Sequence, residues 1–170
     1  MSCILLADDS PHAQRMGEFI LRGEGYEVVT VTDGETAVVR LADADPDVVL
    51  ADVSLPARNG YELCRFIKDH PKHRHVRVVL TAAALEPLNE PLALEVHADG
   101  NLRKPFESST VLNTVKPLAE AARLGRRSAP SSEPSPDTER VRAAVTLALD
   151  AALPSMIDEI TKRVLVALKR

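Results

Sequence analysis

The chain of 170 residues is poor in aromatic side chains and in cysteine. It contains no tryptophan, two tyrosines, three phenylalanines and two cysteines. Two cysteines cannot build the disulfide framework that holds many small secreted domains together, so we expect Cys3 and Cys64 to be buried, reduced thiols. Because aromatic residues are scarce, leucine, valine and alanine must fill most of the core.

The sequence also lacks a long apolar run and a strong net charge. It has no stretch of about 18 apolar residues that could span a membrane, and no basic segment followed by an apolar one stands at its start. The net charge is −4, and so mild a balance does not favour nucleic acid or an anionic membrane as a partner. We therefore expect a soluble cytoplasmic protein that binds neither nucleic acid nor membrane.

Five short apolar runs alternate with segments of helical periodicity. Runs of this length between helices are typical of buried parallel strands. Five strands that alternate with five helices predict an α/β fold built on a doubly wound, five-stranded parallel sheet. The runs cover residues 3–7, 27–31, 47–51, 76–80 and 100–102.

Proline positions indicate where several of the helices begin or are interrupted. Ser10 followed by Pro11 predicts the start of the first helix. Two prolines interrupt the fourth helical segment, so we expect a loop to about residue 90 and a short helix near 91–97. Pro117 should bend or shorten the last helix of this series, because proline removes a backbone donor.

Polar side chains follow four of the five apolar runs. Because ligands of an open α/β sheet bind outside the carboxyl ends of its strands, these groups should meet at one edge of the sheet. Three carboxylates together favour a hard cation, and a lysine with a hydroxyl group suits an anionic oxygen. The sequence therefore predicts a site for a divalent metal and a phosphoryl group, formed by Asp8, Asp9, Asp52, Thr81 and Lys104.

From about Ser2 to Leu124 the chain resembles the receiver domain of two-component response regulators. The resemblance implies a flavodoxin-like sheet with the strand order 2-1-3-4-5. It also implies a phosphoacceptor that catalyses only its own phosphorylation and dephosphorylation, rather than an enzyme with another substrate. The residues that carry it agree in type, order and spacing, and they are Asp8-Asp9, Asp52, Pro56, Gly60, Thr81-Ala82, Asp99-Gly100 and Lys104-Pro105-Phe106.

The resemblance assigns the phosphoryl chemistry to three side chains. Asp52 would attack the phosphohistidine of a histidine kinase or of a histidine phosphotransfer protein and form a mixed anhydride. Lys104 and Thr81 would each bind one oxygen of the transferred group, since phosphoryl transfer depends on positioning and charge neutralisation.

The resemblance also implies a Mg²⁺ site. Asp9 and Asp52 would bind the ion, Asp8 would act mostly through water, and the backbone carbonyl of Ser54 would be a further ligand. An acidic N-terminal cap of the first helix is an alternative role for Asp8 and Asp9, and it is compatible with metal binding.

Three positions depart from the pattern of the family. Asn101 stands where the family usually carries an aromatic switch residue, and asparagine cannot fill the pocket that this residue enters. Ser54 and Ala83 flank the path of the hydrolytic water in the family, and both side chains are too small to position it. We therefore expect the link between the site and the surface to be weakened or to run through other residues.

The composition changes after Leu124. Residues 125–136 are rich in proline and serine and predict a flexible linker between the receiver domain, 1–124, and a C-terminal segment, 137–170. This segment has the pattern of an amphipathic helix kinked at Pro154. Its apolar stripe has coiled-coil spacing and consists of Leu153, Ile157, Ile160, Val164 and Leu168.

Three functions follow from these features, in order of preference. The first is a response regulator whose output is protein–protein interaction or oligomerisation, most simply a homodimer formed by the C-terminal helices. The second is a phosphorelay intermediate that passes phosphate on to a histidine phosphotransfer protein. The third, a DNA-binding regulator, is disfavoured because the charges of the tail are mixed. We expect His70, His73 and His75 to be solvated loop residues rather than a metal site.

Overall fold

A computed structural model gives the structure of residues 1–128, of Ala143 and of residues 161–163. In the first of these ranges five strands and five α helices alternate, with one short 3-10 turn at Pro71–His73. The strands are β1 (Cys3–Ala7), β2 (Glu27–Val31), β3 (Val48–Asp52), β4 (Arg77–Ala82) and β5 (Gly100–Arg103). The helices are α1 (Pro11–Gly23), α2 (Gly34–Ala44), α3 (Gly60–Asp69), α4 (Glu90–Glu95) and α5 (Ser108–Ser128).

All neighbouring strands pair in parallel, in the order β2-β1-β3-β4-β5. The predicted doubly wound parallel sheet and its flavodoxin-like strand order are confirmed. The chain moves outward in one direction from β1 to β2 and in the other from β3 to β5. The carboxyl ends of β1 and β3 therefore flank the crevice in which such sheets bind ligands.

Aliphatic side chains form one hydrophobic cluster on each face of the sheet. Successive strand residues point to opposite faces, so Leu5 and Val49 belong to the cluster under α2 and α3. Ile4 and Leu50 belong to the cluster under α1 and α5, which also contains the buried ring of Phe106. Of the helices that the structure describes, none is long and apolar enough to cross a membrane.

Side-chain caps fix the starts of the two helices that follow the aspartate-bearing strands. The Ser10 hydroxyl accepts a hydrogen bond from the backbone of Ala13, and Pro11 occupies the first turn of α1 as predicted. At α3, Asn59 and Glu62 form a reciprocal capping box. Each helix therefore begins at a defined residue next to the carboxyl end of its strand.

The fourth helix agrees with its prediction, whereas the fifth helix differs from two of the sequence predictions. Helix α4 spans Glu90–Glu95, close to the expected short helix. Pro117 does not shorten α5, which continues for 21 residues to Ser128. Residues 125–128, assigned above to the linker, are therefore helical, and the first compact unit of the chain ends at Ser128.

Packing and ion pairs explain why α5 continues past Pro117 and past residue 125, where the linker was predicted to begin. Buried side chains lie on either side of Pro117, among them Val115 and Ala119, so tertiary contacts outweigh the loss of one backbone donor. At the far end, Arg126 binds the carboxylates of Asp45 and Asp47. The remaining linker and the C-terminal segment with its apolar stripe lie outside the described residues, apart from helical Ala143 and residues 161–163.

The two cysteines are free and differ in burial. Cys64 is buried and donates its thiol to the carbonyl oxygen of Val96 at 3.3 Å. Burial raises the pKa of Cys64 to about 12, so this thiol stays protonated at neutral pH. Cys3 is only partly buried. The expectation of buried, reduced thiols therefore holds fully for Cys64 and in part for Cys3.

Candidate functional site

Three aspartates meet where β1 and β3 end. Asp52 is the last residue of β3, and Asp8 and Asp9 directly follow β1. One carboxylate oxygen of each lies within 4.8 Å of the others. Asp8 is 0% exposed and Asp52 is 3% exposed, whereas Asp9 is exposed to solvent. The predicted cluster of carboxylates is thus present, and it opens to solvent on the side of Asp9.

Lys104 follows β5 and bridges the two buried carboxylates. Its Nζ lies 2.7 Å from Asp52 Oδ2 and 2.7 Å from Asp8 Oδ2. The lysine donates a hydrogen bond to Asp52, while its contact with Asp8 is an ion pair without hydrogen-bond geometry. Its backbone N–H donates to the carbonyl oxygen of Ala82, and the peptide bond that joins it to Pro105 is cis.

Burial and ion pairing act on these groups in opposite directions. Burial raises the pKa of Asp8 above its usual range, although Lys104 and the Ser10 backbone oppose this effect. Burial lowers the pKa of Lys104, but its bonds to Asp52 and Asp8 outweigh burial and raise the pKa on balance. One ammonium group facing three carboxylates leaves a formal charge of −2, which fits a divalent cation with oxygen ligands.

Thr81 brings a hydroxyl group to the same edge from β4. It pairs with Asp52 in the register of the sheet and is 0% exposed. Its Oγ1 has no hydrogen-bond partner among the described residues. A buried hydroxyl without a partner costs about 1–3 kcal/mol. The hydroxyl is therefore available to an anionic oxygen bound next to Asp52.

Backbone groups complete the surroundings of Asp52. The N–H of Ser54 donates to Asp52 Oδ1 at 3.3 Å, and the N–H of Val53 donates to the carbonyl oxygen of Thr81 at 2.9 Å. Gly60 begins α3 so close to the strand that a Cβ atom there would lie 2.5 Å from the carbonyl oxygen of Asp52. A glycine at this position lets α3 start against the end of β3.

Two side chains near the site were not identified as site residues from the sequence. The Gln14 amide donates to the carbonyl oxygens of Asp8 at 2.5 Å and Val31 at 3.0 Å, and so holds the backbone of the acidic pair. Glu86, in the loop between β4 and α4, accepts a hydrogen bond from the Ser54 hydroxyl at 2.5 Å. A polar residue one turn after the cap of α1 was the only signal for Gln14, and nothing local marked Glu86.

His70, His73 and His75 do not contribute to this site, and all three are partly buried, which corrects the expectation of solvated loop residues. The side chain of His75 is only 11% exposed and lies 3.2 Å from Asp45. Burial lowers the pKa of His75, and the nearby Arg126 lowers it further. Burial also lowers the pKa of His73. In the part of the chain that the structure describes, the three aspartates are the one cluster suited to a metal.

Asn101 lies on the exposed face of β5. Its neighbour Leu102 points into the core, where it is 3% exposed. The amide side chain therefore fills no internal pocket, as expected from its size and polarity. Asn101 instead lines an open pocket beside α4, together with Ala93 and Leu94.

Comparison with known proteins identifies the family. The model of the response regulator receiver domain matches residues 4–116, more than half of the chain. The chain belongs to the response regulator receiver family. Phosphoryl acceptance on an aspartate follows from the family, as do Mg²⁺ binding at an acidic pocket and interaction with histidine kinases or phosphotransfer proteins.

Solved receiver structures resemble this one over nearly their whole length. A putative response regulator from Chloroflexus aurantiacus J-10-fl is 31% identical, with a TM-score of 0.66 over 70% of this chain and 98% of that one. The chemotaxis response regulator CheY4 of Vibrio cholerae is 29% identical, with a TM-score of 0.64 over 69% and 98%. The receiver domain of a signal transduction histidine kinase from Syntrophus aciditrophicus is 31% identical, with a TM-score of 0.66 over 77% and 96%.

Proposed function

We propose that this receiver accepts a phosphoryl group on Asp52 from a histidine kinase or a histidine phosphotransfer protein. The observation that supports this most strongly is the cluster of three carboxylates bridged by Lys104. Asp52 is the member that lies beside both Lys104 and the unpartnered hydroxyl of Thr81.

In the transfer, a carboxylate oxygen of Asp52 attacks the phosphorus of phosphohistidine, and the phosphorus–nitrogen bond breaks with its electron pair left on the imidazole. Lys104 neutralises charge on one oxygen of the phosphoryl group, and the Thr81 hydroxyl donates a hydrogen bond to another. A bound Mg²⁺ would supply further neutralisation. It would be held by Asp8, Asp9, Asp52 and the backbone carbonyl of Ser54, a set of hard oxygen donors that suits this ion.

The assignment is tested by phosphorylation with acetyl phosphate or phosphoramidate in the presence of Mg²⁺. Intact mass should show one added phosphoryl group in the wild-type protein and none in Asp52→Asn. Asp33→Asn is a matched control, because Asp33 also follows a strand of this sheet and asparagine preserves its capping role. Phosphate retained by Asp52→Asn contradicts the assignment.

The output of the switch is assigned to protein–protein interaction through the C-terminal segment. This proposal rests on the sequence, whose apolar stripe needs a partner surface for burial, and a second copy of the segment is the simplest one. In this proposal the receiver domain, the linker and the interaction segment follow one another along the chain. Charged substitution of Ile157 and Ile160 together should give a monomer by light scattering that is still phosphorylated.

A phosphorelay intermediate is the alternative. It predicts that phosphate returns from Asp52 to a histidine phosphotransfer protein, and that the double substitution leaves this return unchanged. If the doubly substituted protein keeps the size of the wild type, the segment is not the element of assembly.

A further inference from the structure

The Ser54 hydroxyl links the two loops that follow Asp52 and Thr81. Ser54 lies in the loop between β3 and α3, and its hydroxyl donates to Glu86 Oε2 at 2.5 Å. Glu86 lies in the loop of residues 83–89 between β4 and α4, and its own N–H donates to the carbonyl oxygen of Ala83. This turn presents the carboxylate to Ser54, so the middle of the loop is tied to the segment that carries the site.

A second hydrogen bond holds the far end of the same loop. The N–H of Asn89 donates to the hydroxyl of Tyr61 at 2.8 Å, and Tyr61 belongs to α3. Leu88, between these two bonds, packs against the core, whereas Leu85, next to Glu86 on the other side, is 97% exposed. The first half of the loop therefore lacks an apolar anchor at Leu85, and the hydrogen bond that ties it to the site ends on the charged group of Glu86.

Phosphorylation of Asp52 would place two acceptors in competition for one proton. The Ser54 hydroxyl has a single hydrogen to donate, and in the structure it is donated to Glu86. The backbone of the same residue already contacts Asp52 Oδ1 at 3.3 Å. A phosphoryl group on Asp52 adds three strong acceptor oxygens beside Ser54, and they compete with Glu86 for that hydrogen.

The change in the charge of the site also weakens the hydrogen bond to Glu86. Three carboxylates, one ammonium group and a divalent cation sum to a formal charge of zero. After transfer the carboxylate of Asp52 becomes an acyl group and a phosphoryl dianion takes its place, so the sum becomes −1. Ser54 contacts both Asp52 and Glu86, so the carboxylate of Glu86 then faces additional negative charge on the other side of one residue.

We propose that the hydrogen bond from Ser54 to Glu86 is a latch that phosphorylation releases. The latch is closed in the unphosphorylated protein and holds the loop of residues 83–89 against the site. Once it opens, the loop that leads into α4 is free to change position. The latch rests on the proposed phosphorylation of Asp52, and it gives a route from site to surface that does not require an aromatic side chain at Asn101.

Hydrogen exchange of the full chain, followed by mass spectrometry, tests the latch. Beryllofluoride with Mg²⁺ serves as the mimic of the phosphoryl group. In the wild type, the mimic should speed exchange of the loop amides by about tenfold or more, the factor expected when one charge-assisted hydrogen bond is lost. Glu86→Ala and Ser54→Ala should show the faster exchange without the mimic, and the mimic should not speed it further.

Tyr61→Phe is the matched control, because it removes the other tie of the same loop. It should speed exchange near Asn89 in both states and leave the response to the mimic unchanged. If the loop exchanges at the same rate with and without bound mimic, or if Glu86→Ala behaves like the wild type, the latch is wrong while the proposed function stands.

Binding of the mimic is measured independently, as an increase in thermal stability that Asp52→Asn abolishes. If the mimic gives no stabilisation that depends on Asp52, the proposed function fails, and the latch fails with it. Stabilisation that depends on Asp52, together with loop opening that depends on Glu86, supports both.

Discussion

Replacing Thr81 with valine should make the protein more stable. Thr81 is 0% exposed, and its hydroxyl has no hydrogen-bond partner within residues 1–128. Burial of such a hydroxyl costs about 1–3 kcal/mol, and valine has nearly the same shape without the polar atom. We expect the free energy of unfolding to rise by about 1–2 kcal/mol, which raises the melting temperature by roughly 3–8 °C in a domain of this size.

Urea unfolding without Mg²⁺, followed by circular dichroism, measures this change, because the chain has no tryptophan for fluorescence. Thr36→Val is the matched control. The hydroxyl of Thr36 donates to Asp33 at 2.7 Å, and hydrogen bonds from the Thr36 backbone and hydroxyl lower the pKa of Asp33. This control should therefore lose stability. A Thr81→Val protein no more stable than the wild type would refute the conclusion that the hydroxyl is unsatisfied.

The wild type and Thr81→Val also test the role of Thr81 at the site. With Mg²⁺ and beryllofluoride, the wild type should gain more stability than Thr81→Val, because its hydroxyl then finds a charged acceptor. A hydrogen bond of that kind contributes about 1.5–3 kcal/mol. Equal gains in the two proteins would show that Thr81 does not contact the phosphoryl mimic.

Three further predictions concern the frame of the site and its charges. The free energy of unfolding of Gly60→Ala, measured in urea, should fall by about 1–3 kcal/mol, because the new Cβ meets the backbone of Asp52. Gly23→Ala is the control and should not lose stability, since nothing lies within 4 Å of its new Cβ. Equal losses in the two variants would contradict this prediction. Lys104→Met leaves two buried carboxylates unpaired and should lose about 3–5 kcal/mol without Mg²⁺, part of which added Mg²⁺ restores; a loss that Mg²⁺ does not change would argue against metal binding at the cluster. Burial lowers the pKa of His75 from 6.5, so the unfolded chain takes up a proton more readily and stability should fall as the pH drops below about 6.5. Urea unfolding at about pH 7.5 and about pH 5.5 measures this slope, which His75→Gln should reduce; an unchanged slope would contradict it.

The fold and the convergence of the candidate site residues could be predicted because their signals are local. Each apolar run has the length of a strand; Asp8 directly follows β1, Asp52 ends β3, and Thr81 is the penultimate residue of β4. In a parallel sheet all such ends lie at one edge. Position along the chain was therefore enough to place side chains that are far apart in sequence next to one another.

The features that could not be predicted depend on contacts between distant residues. Residues 125–128 have the composition of a linker, but Arg126 is held by Asp45 and Asp47, about 80 positions earlier in the chain. Asp45 also lies 3.2 Å from His75, whose side chain is only 11% exposed. Ser54 and Glu86 are 32 positions apart, and neither belongs to a helix or strand whose register would have brought them together. Local periodicity contains no information about such pairs.

The site is arranged at the expense of stability, and its ligands would recover what is lost. Asp8 Oδ2 is buried and ion-paired with Lys104, and Thr81 Oγ1 is buried without a hydrogen-bond partner in the described part of the chain. A divalent cation would balance the remaining negative charge of the three aspartates, and a phosphoryl oxygen would accept a hydrogen bond from Thr81. Because each ligand binds the folded site and not the unfolded chain, binding and stability are linked. In the proposed function this linkage is what allows a phosphoryl group on Asp52 to shift the equilibrium of the loop that follows Thr81, because a site already satisfied before phosphorylation would gain little from it.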